Sequence, residues 1–279
     1  MIHYHGTPVS GPRDEAHLFL SGRHALVSYF AKDDLPAVAA YCQSFVFDNG
    51  AFSAWQSGAP LDVPGYIAWV EEWHRHPGFD WALIPDVIDG DEAANDRLLD
   101  EWPAHLPGVP VWHLHESVER LQRLASSWRT VAIGSSGHWR TPGTKQWWRR
   151  MDAALRAVCD TQGRRLCRLH GLRMLDPRIF SELPLASADS TNAAVNGGSV
   201  GRFGMYPAPS AAQRASVIAD RIESRNSAAV WQRSGQADWI YATDMSADEI
   251  EAAITGKPLP HGQAECEADQ LALFNGSGT

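Results

Sequence analysis

Residues 109–137 read VPVWHLHESVERLQRLASSWRTVAIGSSG, and this stretch contains the repeating unit of the fold. An apolar run at each end predicts a short strand. The segment between them places apolar side chains at helical spacing, namely Val118, Leu121, Leu124, Ala125 and Trp128. These side chains would share one face of a helix, and that face should pack against a sheet. Strand, helix and strand in succession are typical of a parallel βαβ unit.

Similar units recur along the chain. Short apolar segments predict up to eight strands, the weakest being the first: Ile2–Tyr4, Ala25–Tyr29, Ser44–Phe47, Trp81–Pro85, Val109–Leu114, Thr130–Ile133, Leu166–Leu169 and Leu185–Ala188. Helical patterns occupy Pro64–His74, Asp91–His105, Ser117–Trp128, Lys145–Thr161, Pro177–Leu183, Ser210–Arg233 and Ala247–Thr255. Seven or eight such units favour closure into a barrel, with an open doubly wound sheet as the alternative. We therefore predict an α/β protein with a single (β/α)8 TIM-barrel-like domain at 1–256 and a polar, flexible tail at 257–279.

Capping residues mark several helix starts. Asp91 stands where it would cap its helix, and Asp176 precedes a proline suited to a first helical turn. Ser246 with Glu249 fits a capping box. Because Asp91 already serves as a cap, the nearby Asp86 is available for another role.

Composition excludes several classes of protein. The chain is 44% hydrophobic and 20% charged, as in a packed globular protein, and no apolar run approaches the roughly 18 residues of a membrane span. We expect a cytoplasmic protein with no membrane partner. The formal charge of −9 argues against a protein that coats nucleic acid, although it leaves room for a local basic groove.

The four cysteines form no CxxC pair and are predicted to be free thiols. Neither a dinucleotide-binding glycine motif nor a P-loop is present.

Polar residues follow six of the eight predicted strands. They are found at Asp48–Ser53, Asp86, His113–Glu116, Gly134–Gly137, His170–Gly171 and Asp189–Asn192. In a barrel, the carboxyl ends of the strands converge on one face and build the active site. His113 and His115 alternate with Trp112 and Leu114, so only one of these two pairs should point into the barrel.

Taken in order, these segments resemble the motifs of the tRNA-guanine transglycosylase superfamily, which includes phage and bacterial relatives that insert 7-deazaguanines into DNA. Asp48–Ser53 is similar to the family's Asp-Ser-Gly-Gly-Phe/Tyr-Gln segment, and Asp86 stands at the place of its base-reading aspartate. The remaining matches are Ile133–Gly137 with the Gly-rich base-binding loop, Leu169–Gly171 with the Leu-Met-Gly segment, and Asp189–Asn192, with Asn196 and Gly197 beyond it, with the segment of the nucleophilic aspartate.

Two departures from the family are informative. His115-Glu116-Ser117 stands where the family has a glutamine before Gly-Ser, so base reading should differ. The family's Cys-x-Cys-x-x-Cys zinc site has no counterpart, and Cys266 is the only cysteine in the later part of the chain. The zinc-binding subdomain used for tRNA is therefore missing, and the resemblance is nearer to the DNA-modifying branch.

The resemblance implies a base-exchange transglycosylase that replaces guanine in nucleic acid, with DNA favoured over tRNA, by a 7-deazaguanine base. It implies Asp189 as the nucleophile and Asp48 as the general acid and base, with no cofactor and no metal. Asp86 and His115 would bind the base edge, Gly134 and Ser135 would supply backbone contacts, Phe52 and His170 would sandwich the ring, and Gly171 would line the same pocket. The oligomeric state, including a homodimer or an accessory protein, stays open.

A basic and aromatic segment follows the Gly-rich loop. Lys145, Trp148, Arg149 and Arg150 within it suit phosphate and base contacts and are predicted to bind nucleic acid. The alternative is an amphipathic helix that packs its Trp residues inward.

Three other functions compete with this interpretation. A metal-dependent hydrolase on the same barrel would use His113, His115, His170 and Asp189, with His3 and His5 as a further His-x-His pair. Against it, His3 and His5 follow only two residues, which we expect to be too few for a full first strand. A glycosidase would keep the nucleophile and give the intermediate to water. A non-catalytic nucleic-acid-binding module would leave the converging aspartates unexplained.

Overall fold

The computed structural model describes residues 1–8, 11–203, 205 and 207–232. Its strands are β1 (Ile2–Gly6), β2 (His24–Ser28), β3 (Ser44–Asp48), β4 (Phe79–Leu83), β5 (Gly108–Val109), β6 (Val111–His113), β7 (Thr130–Gly134), β8 (Arg168–Gly171) and β9 (Ser187–Ser190). All pair in parallel in the order β5-β4-β3-β2-β1-β9-β8-β7-β6. The sheet therefore curls into a nearly closed barrel, as predicted.

The gap in the barrel lies at Pro110, between β5 and β6. β5 pairs with β4 on one side and β6 pairs with β7 on the other, so the two short strands together fill one position of an eight-stranded barrel. Proline has no N–H to donate to a neighbouring strand, but its carbonyl oxygen still accepts from the Ala132 N–H at 2.9 Å. The predicted strand at Val109–Leu114 is confirmed with this interruption.

The helices lie between the strands. They are α1 (His17–Leu20), α2 (Leu35–Tyr41), α3 (Ala51–Ser57), α4 (Val63–Trp73), α5 (Glu92–Glu101), α6 (Val118–Ser127), α7 (Lys145–Val158), α8 (Pro177–Phe180), α9 (Asn192–Asn196) and α10 (Ala211–Glu223). The predicted caps are confirmed at Asp91, which accepts from the Ala94 N–H, and at Asp176, which accepts from the Arg178 N–H. The predicted cap at Ser246 and the helix at Ala247–Thr255 lie outside the described residues.

Four predicted helices are too long: α7 and α8 each end three residues before the predicted end, and α5 and α10 fall short by more. α5 ends at Glu101 because Pro103 disfavours a helical conformation at Trp102, whose ψ is 129°. α10 ends at Glu223, ten residues before the predicted end. Beyond α10 the chain packs against the loop that precedes β9, where the Ala228 N–H donates to the Leu183 carbonyl oxygen. The four short helices α1, α2, α3 and α9 were not predicted, because they span only four to seven residues and show little periodicity.

The strands alternate between two apolar layers. Outward residues pack under the helices, and Trp112 belongs to this layer beside α6 and α7. Inward residues fill the barrel around Val46, Trp81 and Val111. His113 faces inward, so the expected alternation of the two pairs is confirmed. A hydrogen bond from Tyr4 to Asp80 lies toward the amino end of β4, and further polar residues gather at the carboxyl ends of the strands.

Three further sequence predictions concern surface and chemistry. Cys42, Cys159 and Cys167 carry thiols and not disulfides, as expected, while Cys266 lies outside the described residues. Among the residues described, no helix is both long and apolar enough to cross a bilayer. The predicted tail at 257–279 also lies outside the described residues.

Candidate active site

Three aspartates meet at the carboxyl-terminal mouth of the barrel. Asp48 is the last residue of β3, Asp86 follows β4, and Asp189 lies in β9. Burial, reinforced by the negative charges of Asp189 and Asp86, raises the pKa of Asp48 to about 7. The backbone N–H of Gly50 donates to Asp48 at 3.2 Å and opposes this rise. One carboxyl group near two others is therefore poised to hold or release a proton at neutral pH.

Asp189 is held by two donors. His170 Nε2 lies 3.0 Å from one carboxylate oxygen, and the Arg173 backbone N–H donates to the other at 3.3 Å. His170 Nδ1 lies 2.8 Å from the Ser187 hydroxyl, so the imidazole is itself fixed. Arg173 adopts a φ of 59°, a left-handed conformation that is unfavourable for a residue with a side chain. Such strain is stored where the surrounding structure requires one orientation, here the N–H aimed at Asp189.

The structure gives His170 a different place from the predicted one. Its ring is fully buried within the barrel, with no exposed surface. A ring in this position does not sandwich a base, and its contact with Asp189 makes it a positioning residue for the proposed nucleophile. Its side chain points into the barrel from β8, where sequence alone does not indicate which group it meets.

Both carboxylate oxygens of Asp86 have hydrogen-bond partners. The Asn49 side-chain amide donates to Oδ1 at 2.7 Å, and His113 Nε2 lies 2.7 Å from Oδ2. Burial lowers the pKa of His113, but the hydrogen bond and charge of Asp86, aided by Glu116, outweigh it and raise the pKa. Sequence reasoning did not assign a role to Asn49, although it lies inside the motif that begins at Asp48. The mouth of the barrel thus contains an imidazole paired with a carboxylate beside Asp48.

His115 joins two loops instead of facing an open pocket. Its Nδ1 lies 2.7 Å from the Ser136 hydroxyl, and its Nε2 lies 3.0 Å from the Gly90 carbonyl oxygen. Because a carbonyl only accepts, Nε2 carries the proton and Nδ1 accepts from Ser136. Neither nitrogen is open to a base in this arrangement, so the expected role in base reading does not match the geometry. His113, two residues earlier in the chain, is the histidine that contacts Asp86.

Glycine and serine positions in the predicted pocket have packing reasons. A Cβ at Gly134 would lie 2.9 Å from His113 Nδ1, so glycine makes room for that ring. A Cβ at Gly171 would lie 2.9 Å from atoms of Met174 and Leu185, which places the requirement for this glycine in the core and not in a base contact. The Ser135 hydroxyl accepts from the Trp147 indole N–H at 2.9 Å, so this side chain has a partner within the protein.

Phe52 stands at the rim of the mouth on α3. The Arg173 guanidinium lies 4.7 Å from the centre of its ring. Arg173, whose backbone N–H donates to Asp189, links Phe52 to that side of the mouth, and the predicted substrate-binding role of Phe52 stays a prediction.

A buried ion pair between Glu116 and Arg120 fixes the segments that carry His113 and Asp86. Glu116 accepts from the His113 N–H at 2.8 Å, from the Asn95 side chain at 2.8 Å and from the Arg120 guanidinium at 2.7 Å. Asn95 in turn accepts from the Val87 N–H at 2.7 Å and thereby fixes the loop that carries Asp86. Glu116 and Arg120 are four residues apart at the start of α6, a spacing visible in the sequence.

Arg120→Ala is expected to lower the free energy of unfolding by about 3–5 kcal/mol, because it leaves a buried carboxylate without its partner. The matched control is Arg123→Ala on the same helix: Asp96 pairs with both Arg120 and Arg123, and the Arg123 guanidinium is exposed. This control should cost at most about 1 kcal/mol. Urea denaturation measures both, and equal losses in the two variants would contradict the role assigned to the buried pair.

The basic segment of α7 is largely structural. Trp147 and Trp148 are buried in the core under the helices, which confirms the amphipathic-helix alternative and contradicts the nucleic-acid role of Trp148. Arg150 donates to the carbonyl oxygens of Leu114, at 2.7 Å, and Glu116, and it lies over the Trp112 ring. Its predicted phosphate contact is therefore replaced by contacts within the protein.

Lys145 and Arg149 are the exposed members of this segment. Their predicted role in binding nucleic acid stays a prediction.

The residues of the hydrolase alternative form separate pairs: His170 contacts Asp189, the His113 and His115 rings stack with their centroids 5.6 Å apart, and His3 and His5 have other partners. His3 Nε2 lies 3.0 Å from the Arg225 carbonyl oxygen and His5 Nε2 lies 2.8 Å from Glu223, both outside the barrel. The expectation that the first strand is too short was wrong, because β1 spans Ile2–Gly6. Across the described part of the chain, no group of three or more His, Cys, Asp and Glu side chains is arranged to hold a metal ion.

Comparison of the chain with models of known protein families, with curated proteins and with solved structures found no match.

Proposed function

We propose that this protein is a base-exchange transglycosylase that replaces guanine in nucleic acid by a 7-deazaguanine derivative through a covalent aspartyl–glycosyl intermediate. One observation supports this most strongly. A carboxyl group with a pKa of about 7, Asp48, shares the barrel mouth with Asp189, whose two oxygens are oriented by His170 and Arg173. Paired carboxyl groups in different environments are the usual means of breaking and remaking a glycosidic bond.

In the first half-reaction, a carboxylate oxygen of Asp189 attacks the anomeric carbon of the nucleotide. The bond from that carbon to the base nitrogen breaks, and its electron pair leaves with guanine. Asp48 donates its proton to the departing base and becomes a carboxylate. The products are free guanine and a sugar esterified to Asp189.

In the second half-reaction, the incoming base occupies the place that guanine has left. The Asp48 carboxylate removes a proton from its ring nitrogen, and that nitrogen attacks the anomeric carbon. The ester bond to Asp189 breaks, so both aspartates return to their starting states. A single carboxyl group with a pKa near 7 suits both directions of proton transfer.

The Asp86–His113 pair lies beside Asp48 and offers hydrogen bonds to the base. Each carboxylate oxygen has two lone-pair sites, so Asp86 retains acceptor capacity beyond its contacts with Asn49 and His113. Because these contacts fix the carboxylate, a base that matches its orientation pays little ordering entropy on binding.

Incubation of the protein with labelled guanine and either DNA or tRNA tests the proposal. DNA is expected to gain label, because the sequence lacks the family's zinc motif. A denaturing gel should also show a covalent adduct between protein and DNA. Guanine release without incorporation would instead indicate a glycosidase, and no label or release with either polymer would contradict the proposal.

A further inference from the structure

Two large aromatic side chains stand exposed on the catalytic face. Phe30 is 53% exposed and follows β2, while Trp55 is 52% exposed and lies on α3, after β3. Because loops after parallel strands gather at the carboxyl-terminal face of a barrel, both flank the end of β3 that carries Asp48. With Phe52 they form what we call the aromatic rim.

Contacts within the protein hold these rings in place. Phe30 packs directly on Gly50, where a Cβ would lie 2.4 Å from the Phe30 ring and where φ is 78°. The Trp55 indole N–H donates to Asp89 at 2.6 Å. Both rings are thus fixed at one edge and open to solvent elsewhere. Exposed apolar surface that is held rigid favours binding, since little entropy is lost when a partner covers it.

Positive charges lie among these rings. The Arg173 guanidinium sits 4.7 Å from the centre of the Phe52 ring, and the Lys32 ammonium group sits 4.9 Å from the centre of the Tyr29 ring. Arg173 also contacts Asp189 through its backbone. The protein has a net charge of −9 and carries three carboxyl groups in the barrel mouth, so an anionic polymer needs local cations to approach.

We infer, building on the proposed function, that the aromatic rim binds the unpaired nucleotides on either side of the reacting nucleotide. Phe30 and Trp55 stack on neighbouring bases, and Arg173 binds the phosphate next to the sugar that Asp189 attacks. Rigid aromatic rings with adjacent cations are the general means of binding single-stranded nucleic acid without regard to sequence. An unpaired strand also avoids the cost of extracting a nucleotide from a duplex.

Fluorescence anisotropy with a labelled single-stranded oligonucleotide and with the matching duplex tests this inference. The single strand should bind more tightly than the duplex. Phe30→Ala and Trp55→Ala should each weaken binding of the single strand about 5- to 150-fold, the range for loss of one stacked base. Leu166→Ala is the matched control, since Leu166 is 62% exposed and precedes β8 at the opposite end of the barrel.

The contribution of Arg173 is measured by the salt dependence of binding. Arg173→Gly keeps the left-handed backbone and should reduce the slope of log affinity against log salt concentration by about 0.7, the value for one phosphate contact on a single strand. Arg173→Lys should restore the slope. An unchanged slope in the glycine variant overturns the phosphate contact.

The outcomes separate this inference from the proposed function. Normal oligonucleotide binding by Phe30→Ala and Trp55→Ala, with weakened binding by a Lys145→Ala/Arg149→Ala variant, would overturn the rim and favour α7. If the protein exchanges labelled guanine into DNA or tRNA while Phe30→Ala and Trp55→Ala bind the oligonucleotide as tightly as wild type, the rim is wrong and the function stands. If the rim variants lose binding while wild-type protein exchanges no base, the surface stands and the function is wrong.

Discussion

Asp189→Ala is expected to abolish both the covalent adduct with nucleic acid and the exchange of labelled guanine. Without this carboxylate, no oxygen attacks the anomeric carbon. Asp48 does not substitute for it, because burial, the largest cause of its raised pKa, persists in the variant and reserves this carboxyl group for proton transfer. The measurement is a denaturing gel for the adduct, together with incorporation of label into the polymer.

The alanine variant also leaves His170 Nε2 without its partner, which costs about 1–3 kcal/mol of stability. Asp189→Asn reduces this ambiguity, because it keeps the volume: the amide oxygen accepts from the Arg173 N–H, and the amide NH2 donates to His170 Nε2 when the imidazole carries its proton on Nδ1 toward the Ser187 hydroxyl. It should unfold close to the wild-type temperature and still form no adduct. Asp91→Asn is the control, since asparagine caps α5 as well as aspartate does and the site is untouched. An adduct in either Asp189 variant would assign the nucleophile to another side chain.

The barrel was accessible from sequence because its signals are local. Each strand is a short apolar run, each long helix has a periodic apolar face, and the two alternate along the chain. Boundaries depend on less regular features. Pro103 ended α5 early and was visible in the sequence, whereas the end of α10 depends on a contact of Ala228 with a distant loop.

The positions of the site residues could be predicted, but their partners could not. Asp48, Asp86 and Asp189 were expected to meet because the carboxyl ends of parallel strands share one face. Which histidine meets which aspartate depends on side-chain packing across the barrel, and sequence chose His115 where the structure places His113 beside Asp86. His170 was likewise expected at a base and lies against Asp189.

Supporting residues were missed for the same reason. Asn49 and Arg173 act through one hydrogen bond each to an aspartate that is distant in sequence. Arg120 is different, because Glu116 lies only four residues before it, just ahead of α6, so this partner is close in sequence. Trp148 shows the opposite error, in which a surface role was predicted for a side chain that the core requires.

Asp48→Asn is expected to slow base exchange by about 10²- to 10⁴-fold, the usual contribution of general acid–base catalysis. In the wild-type protein, formation of the adduct needs protonated Asp48, so its rate should fall as the pH rises through about 7. The asparagine variant should lose this pH dependence. Single-turnover measurements of adduct formation between pH 5 and 9 give both results.

The same substitution should stabilise the protein at neutral and alkaline pH. The folded protein holds the Asp48 proton with a pKa of about 7, whereas an unfolded aspartate has a pKa of about 4. The wild-type protein therefore loses stability as the pH rises from about 4 to about 7, and the neutral amide does not. The difference in melting temperature between variant and wild type should grow over that interval and then level off. The contrary result would be that Asp48→Asn exchanges base more slowly, while its stability relative to wild type is the same at pH 8 as at pH 5. That result would show that the pKa of Asp48 is not raised, and it would contradict the electrostatic basis of the mechanism.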